Sequence, residues 1–322
     1  GEMKAGELLE LKLLEPAMGA AAFHNEVINQ LAEAHLQYRQ KELNQKVAPD
    51  KYREETQKVK TYIALNNVYG VDINPTAIEL GKLSLWLNVI HKDMQTPFFG
   101  YRLGTGNAVV GAWLKAFKRK DFIVEYPKTG TTAQRRKPIK KEWWEIAPRH
   151  LKFSNGKLDR KDDEIYHFLL PDMGMVPSSK IRLLSDEYPN EAKGVTKWRS
   201  DFCAPINADE YTTLQVLSKA IDVLLDEHYL FQRQVDSETR IKENFFGAYD
   251  AEEQTRFKAK SYDEKEKLAA NRLKANAPYY KLKFIMDYWC SLWFWDVRKA
   301  ADLPTREEWF TDIANILNIN LA

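Results

Sequence analysis

Cysteine is scarce. Cys203 and Cys290 are the only two in 322 residues, far apart in sequence and in no metal-ligand spacing. That excludes a disulfide framework and points to a reduced, cytosolic setting. No set of residues has the spacing of a metal site. No apolar run reaches the roughly 18 residues a membrane-spanning helix needs, and no signal-peptide pattern opens the chain. Charge of one sign is also missing: the net value is +2. Any nucleic-acid footprint must therefore be local. No G-x-G-x-x-G occurs. A pyrophosphate wants several glycines at its turn, which argues against a dinucleotide-dependent dehydrogenase. There is no internal repeat.

What is present is a globular composition, 44% hydrophobic, enough for one large domain or two smaller ones. Two stretches organise it. Leu11 to Phe23, LKLLEPAMGAAAF, reads as a buried strand over Leu11–Leu14. It breaks at Glu15-Pro16, turns at Gly19 and enters a helix from Ala20 to about Asn44. Val68 to Pro75, VYGVDINP, reads as a second buried strand ending in Asp72, followed by a helix with Asn74 as N-cap and Pro75 at its first position. A strand, a tight turn, a helix and a second strand ending in a carboxylate make half of a nucleotide-type site. The helix N-terminus offers free N–H groups, and the carboxylate accepts from ribose hydroxyls.

Glu15-Pro16-Ala17-Met18-Gly19-x-x-x-Phe23 resembles the S-adenosyl-L-methionine (AdoMet) motif of amino-methylating DNA methyltransferases, (D/E)-P-A-x-G-(S/T)-G-x-F. GVDINPTAIELGKLSLWLN is similar to the second motif of the same family. The nearest likeness is to the large adenine-specific (N6) enzymes of bacterial restriction and phage defence, of the BREX and DISARM kind. It covers Leu8 to Trp113 and is diffuse beyond. The resemblance implies an α/β fold, a partial Rossmann-like class I methyltransferase core of parallel strands one to three, followed by a mainly helical region. It implies AdoMet as cofactor. Glu15, Pro16, Ala17, Met18, Gly19 and Phe23 would lie at the methionine end, Asp72 at the ribose, Ile73 on the adenine face and Asn107 at the adenine edge. Asn107 follows a short third strand expected within Tyr101–Val110, and its side chain both donates and accepts. The plainer reading is a turn Asn beside Gly106.

Three segments are expected: residues 1–113 as the AdoMet-binding part, 114–205 as an irregular basic insertion, and 206–322 as a helical region. In the first, Phe23, Val27, Leu31 and Ala34 have the rhythm of a buried helix face. The helix after Asp72 is expected to bury Ile78, Leu83, Leu85, Trp86 and Val89. Residues 47–61 read as a solvated turn and helix. In the insertion, Arg135, Arg136, Lys137, Lys140 and Lys141, with Trp143 and Trp144 after them, are candidates for gripping a DNA backbone. A solvated loop whose tryptophans cover a core edge explains them equally well. Further on, Asn207 with Glu210 and Thr305 with Glu308 read as capping boxes. Leu214, Leu217, Ile221, Leu224 and His228 form one helical stripe. The tryptophans of Tyr279–Val297 read as core rather than as a stacking platform.

One element of the resemblance is missing. The family holds the target amine with an (N/D)-P-P-(Y/F/W) motif after strand four, whose aromatic residue stacks on the flipped base. This chain has no Pro-Pro. Three parallel strands also leave strand one with a bare edge. The expectation is that a further segment or partner subunit completes the sheet and carries that motif. Ala20-Ala21-Ala22 also departs from the family's Gly-containing turn, and Glu15 puts its charge on a longer arm than Asp. Two other readings remain open: a non-catalytic scaffold or DNA-binding subunit with a decayed AdoMet fold, and a small-molecule or protein methyltransferase.

Overall fold

The structure is a computed structural model. It describes residues 4–92, 94–122, 129–132, 142–154, 156–240, 243–248, 260–271, 274 and 277–321. The chain divides into two compact units, one of residues 1–109 with 232–271 and one of 110–231 with 272–322.

The first unit is built on three short parallel strands in the order β1 (Leu13–Glu15), β2 (Val68–Asp72), β3 (Leu103–Thr105). Leu13 lies opposite Val68, and Gly70 lies opposite both Glu15 and Leu103. Helix α1 (Ala5–Leu8) precedes β1. Helices α2 (Ala22–Leu43) and α3 (Tyr52–Asn66) join β1 to β2, and α4 (Pro75–Val89) joins β2 to β3. Ile28, Ala32, Leu36, Val59, Ile63, Leu65, Val68, Ile78, Leu85 and Leu103 form the core between sheet and helices. This is an α/β unit with a parallel sheet, as a partial Rossmann-like core requires. Among the described strands β1 is paired on one side only.

Helix α2 has the expected span but not the expected buried face. Phe23 is 73% exposed and Val27 is also exposed, while His24, Ile28, Ala32, His35 and Leu36 are buried. The face is turned by one residue, about 100°. One ring nitrogen of each buried histidine is bonded, while His24 Nδ1 and His35 Nε2 have no partner among the described residues. The His24 ring meets Tyr69 O at 3.0 Å, and the His35 ring meets Ala5 O at 3.0 Å. Burial lowers both histidine pKa values, which keeps the rings neutral. Helix α4 buries Ile78, Gly81, Leu85 and Val89, whereas Leu83 and Trp86 are 46% and 40% exposed. Its apolar residues fall on every side, interspersed with Glu79, Lys82, Ser84 and Asn88, so periodicity does not choose a face. Helix α3, expected to be solvated, buries Val59, Ile63, Ala64 and Leu65 along its second half.

In the second unit, residues expected to be irregular hold a small antiparallel sheet. β4 (Lys115–Lys118) pairs with β5 (Arg149–His150) on one side and β8 (Glu164–Tyr166) on the other. β6 (Phe153–Ser154) and β7 (Lys157–Leu158) form a hairpin. The rest is mainly helical, including Pro189–Phe202, Pro278–Ser291, Arg306–Leu317 and most of Ala208–Thr239. Leu214, Leu217 and Ile221 are buried on one stripe, as expected. Asn207 and Glu210 exchange backbone bonds at 2.9 Å, and Thr305 and Glu308 do the same at the last helix. Trp143 is fully buried, its indole N–H donating to Pro171 O at 2.8 Å. Trp289 and Trp293 pack against the core, and Phe294 is exposed. Among the described residues no helix is long and apolar enough to cross a membrane.

Candidate cofactor site at the strand ends

Chain direction sets the site. Parallel strands release their following turns on the same edge, so the turns after β1, β2 and β3 gather at the carboxyl ends of the sheet. After Glu15 the chain leaves β1 through exposed Pro16 and Ala17. Met18 N–H then donates to Val71 O at 3.0 Å. Gly19 takes a left-handed φ of +51° and Ala21 one of +64°, and Ala21 N–H closes the turn on Met18 O at 2.9 Å. A left-handed alanine carries a steric cost of about 1–2 kcal/mol. Helix α2 begins at once, with no side-chain cap on its N-terminus. Its first N–H groups therefore remain available to an anion.

Met18 does not face the turn's open side. It is buried, with its thioether between β2 and α4. A Cβ on Gly70 would come within 2.5 Å of Met18 Sδ, and one on Gly81 within 2.6 Å of Met18 Cε. Those two glycines make room for Met18, and sequence reasoning missed the relation. The available signal was a glycine inside a strand and another inside a helix, which mark close approach.

Asp72 joins the three turns. Its Oδ2 accepts from Gly19 N–H at 2.8 Å and its Oδ1 from Asn74 N–H at 2.9 Å. Its own carbonyl accepts from Gly106 N–H at 2.9 Å. Bonds from the Asn74 amide first and the Gly19 amide second hold its carboxyl below the ordinary 3.8, so it is a carboxylate at neutral pH. A carboxylate offers about four lone-pair sites, more than the backbone amides of Asn74, Gly19 and Ile73 occupy. Asn74 Oδ1 in turn caps α4 through Thr76 N–H at 2.9 Å.

The remaining site residues lie around these turns. Ile73 is 72% exposed immediately after Asp72, and Phe23 is exposed on the first turn of α2. Glu15 is half-buried at the end of β1. Asn107 is exposed just past β3, and its Oδ1 accepts from Val109 N–H at 2.8 Å, an Asx turn. The backbone therefore links Met18, Gly19, Asp72 and the Gly106–Asn107 turn directly, while Phe23 and Ile73 are apolar groups presented outward. Gly19 has open space where a Cβ would stand. An ionised carboxylate, an uncapped helix N-terminus, an open glycine turn and exposed apolar side chains fit a nucleoside bearing a charged tail, and AdoMet is one. When bound, AdoMet supplies the methyl group from its sulfonium. Asp72 would be the acceptor for its ribose, and the first amides of α2 would be the donors to its carboxylate tail.

Arg135, Arg136, Lys137, Lys140 and Lys141, expected at the DNA, lie outside the described residues. Two cations of the same basic segment lie over rings of the second unit, Lys115 over Trp113 at 5.6 Å and Arg119 over Tyr211 at 4.9 Å.

Neither a family model nor a solved structure matches the chain. One curated protein does. Over 119 residues, 34% of this chain, it is 32% identical to a Methanocaldococcus jannaschii protein named "Putative type II restriction enzyme and methyltransferase". The matched stretch spans 9% of that relative's length. The similarity relates the chain to a methyltransferase of a restriction–modification system.

Proposed function

We propose that the first unit is the AdoMet-binding part of an adenine-specific DNA methyltransferase of restriction or phage defence. The observation that carries the reading is Asp72, an ionised carboxylate at the end of β2 bonded to the Gly19 turn at 2.8 Å. In this reading Asp72 takes the ribose and Gly19 leaves room for the methionine portion. Ile73 lies on the adenine face and Asn107 offers its amide to the ring edge. The name of the Methanocaldococcus jannaschii relative supports methyl transfer and a restriction system. The likeness of Glu15–Phe23 to the amino-methylating motif supports adenine. DNA is the proposed substrate.

The exposed outer edge of β1 supports a second element. Leu14 is 68% exposed in the middle of that strand, and a parallel sheet normally has cover and partners. A further strand, from another segment or a partner subunit, would pair there and bring the Asn-Pro-Pro-aromatic motif. The alanine-filled turn, with Ala21 strained at φ +64°, favours one alternative, a non-catalytic subunit keeping the fold without the cofactor.

Thermal shift separates these readings. AdoMet should raise the melting temperature of the chain, and NAD should leave it unchanged. No response to AdoMet, either alone or with a segment that completes the sheet, would leave the non-catalytic reading.

A further inference from the structure

A second concave site lies at the opposite ends of the strands, away from the candidate cofactor turns. Lys12 enters β1, Asn67 enters β2 and Arg102 enters β3. Two adjoining cavities of 410 and 220 Å3 open there. Leu9, Lys12 and Arg240 line both, Glu10 and Tyr62 line the first, and Arg102 and Asp236 line the second.

The charges are unbalanced where it matters. Lys12 Nζ donates to Asn66 O at 3.3 Å and sits 5.8 Å from the Tyr69 ring. Arg240 donates to the Tyr62 hydroxyl at 2.6 Å and lies over that ring. Among the described residues neither cation forms an ion pair. Both stay open to solvent, so a ligand can reach them. The Lys12 pKa is lowered, by desolvation first, then by Arg240 and by Arg102, with Asp236 opposing least. Like charges therefore outweigh the carboxylate at that ammonium. Bringing like charges together is unfavourable until an anion enters. The Tyr62 hydroxyl accepts from Arg240, which leaves its own proton to donate.

We propose that this pocket binds a phosphate oxyanion, held by Lys12 and Arg240 with the Tyr62 hydroxyl as a neutral donor. The tetrahedral oxyanion is common to a free phosphate and to a nucleic-acid phosphodiester. Charge-assisted bonds from a lysine and an arginine suit both.

The test titrates the full chain with inorganic phosphate and, separately, with a short blunt DNA duplex, by calorimetry. The wild type should bind at least one probe. The Lys12→Met/Arg240→Met double variant should bind it at least about tenfold more weakly, with an unchanged melting temperature. Duplex binding displaced by phosphate identifies the nucleic-acid backbone as the source. Phosphate binding without duplex binding identifies a free anion. If the double variant does not fold, Lys12→Gln and Arg240→Gln are read singly in the same titration. Failure of the wild type to bind either probe, or variants that bind as well as the wild type, overturns the proposal. The site lies away from Asp72, so AdoMet binding should not change in these variants. A fault in the cofactor reading is thereby kept distinct.

Discussion

The Gly19 amide donates to the Asp72 carboxylate at 2.8 Å across 53 residues of sequence. One hydrogen bond thus ties the turn after β1 to the end of β2, and Asn74 ties the same carboxylate to the cap of α4. Both amides donate to the charged form, which is why the pKa of Asp72 is lowered. A carboxyl with a lowered folded-state pKa contributes stability above its unfolded pKa and loses it as pH falls through the folded one. The stability gap between wild type and Asp72→Asn should therefore be constant near neutral pH. It should narrow once the pH drops below the ordinary 3.8. Urea unfolding of both proteins across that range measures it. A gap that ignores pH would contradict the ionised, doubly bonded carboxylate.

The packing of Met18 gives a second prediction. Gly70→Ala and Gly81→Ala place a methyl 2.5 and 2.6 Å from Met18 side-chain atoms, closer than carbon and sulfur tolerate. Each should cost about 1–3 kcal/mol by overpacking. Met18→Ala removes the obstacle, so Gly70→Ala should cost less in that background, and a double-mutant cycle reads the coupling. Additive costs would show that Met18 is not what keeps those positions glycine.

How much of this was legible in the sequence depends on what fixes each feature. Strand β1 runs Leu13–Glu15 rather than Leu11–Leu14, and Leu14 is exposed rather than buried. The span of β2, the Asn74 cap and both capping boxes are local, and local residue types specify them. Asp72 at the end of a strand was legible for the same reason. The buried face of α2 was not, because His24 and His35 are buried by bonds to backbone atoms of other elements. The exposed Leu83 and Trp86 were missed because the apolar residues of α4 are too many for one face and are spread round the helix. The small sheet of β4, β5 and β8 has strands of two to four residues, too short for alternation to register. Inward-facing Met18 follows from two glycines on elements that meet only in three dimensions.

Arg199 carries a third prediction. It is buried, and its guanidinium donates to Met175 O at 3.0 and 2.8 Å, Val176 O at 2.9 Å and Ser179 Oγ at 2.9 Å. Val176 itself is left-handed, with φ +51°, so the arginine holds a strained turn in place. Arg199→Met strands the buried Met175 carbonyl, while Val176 O keeps the Ser179 N–H at 3.2 Å and the Ser179 hydroxyl at 2.9 Å. The change should destabilise the protein by about 1–3 kcal/mol. Lysine should recover little of this, since it lacks the planar fork. Denaturant unfolding measures both variants, and a loss below about 0.5 kcal/mol for methionine would contradict the role.

The left-handed turn offers a fourth. Gly19 sits at φ +51°, so Gly19→Ala should destabilise by about 1–2 kcal/mol through backbone strain alone. No neighbour lies within 4 Å of the added methyl. The methyl would project into open space at the proposed methionine end, so AdoMet binding should weaken beyond what the lost stability explains. A variant that is less stable yet binds AdoMet as the wild type does would place the cofactor elsewhere.

The most direct measurement is calorimetric titration of the full chain with AdoMet, with Asp72→Ala alongside. The wild type should bind and the variant should not, while the fold, followed by circular dichroism, is kept. Equal binding by both proteins would contradict it, because the carboxylate at the end of β2 would then not be what holds the cofactor.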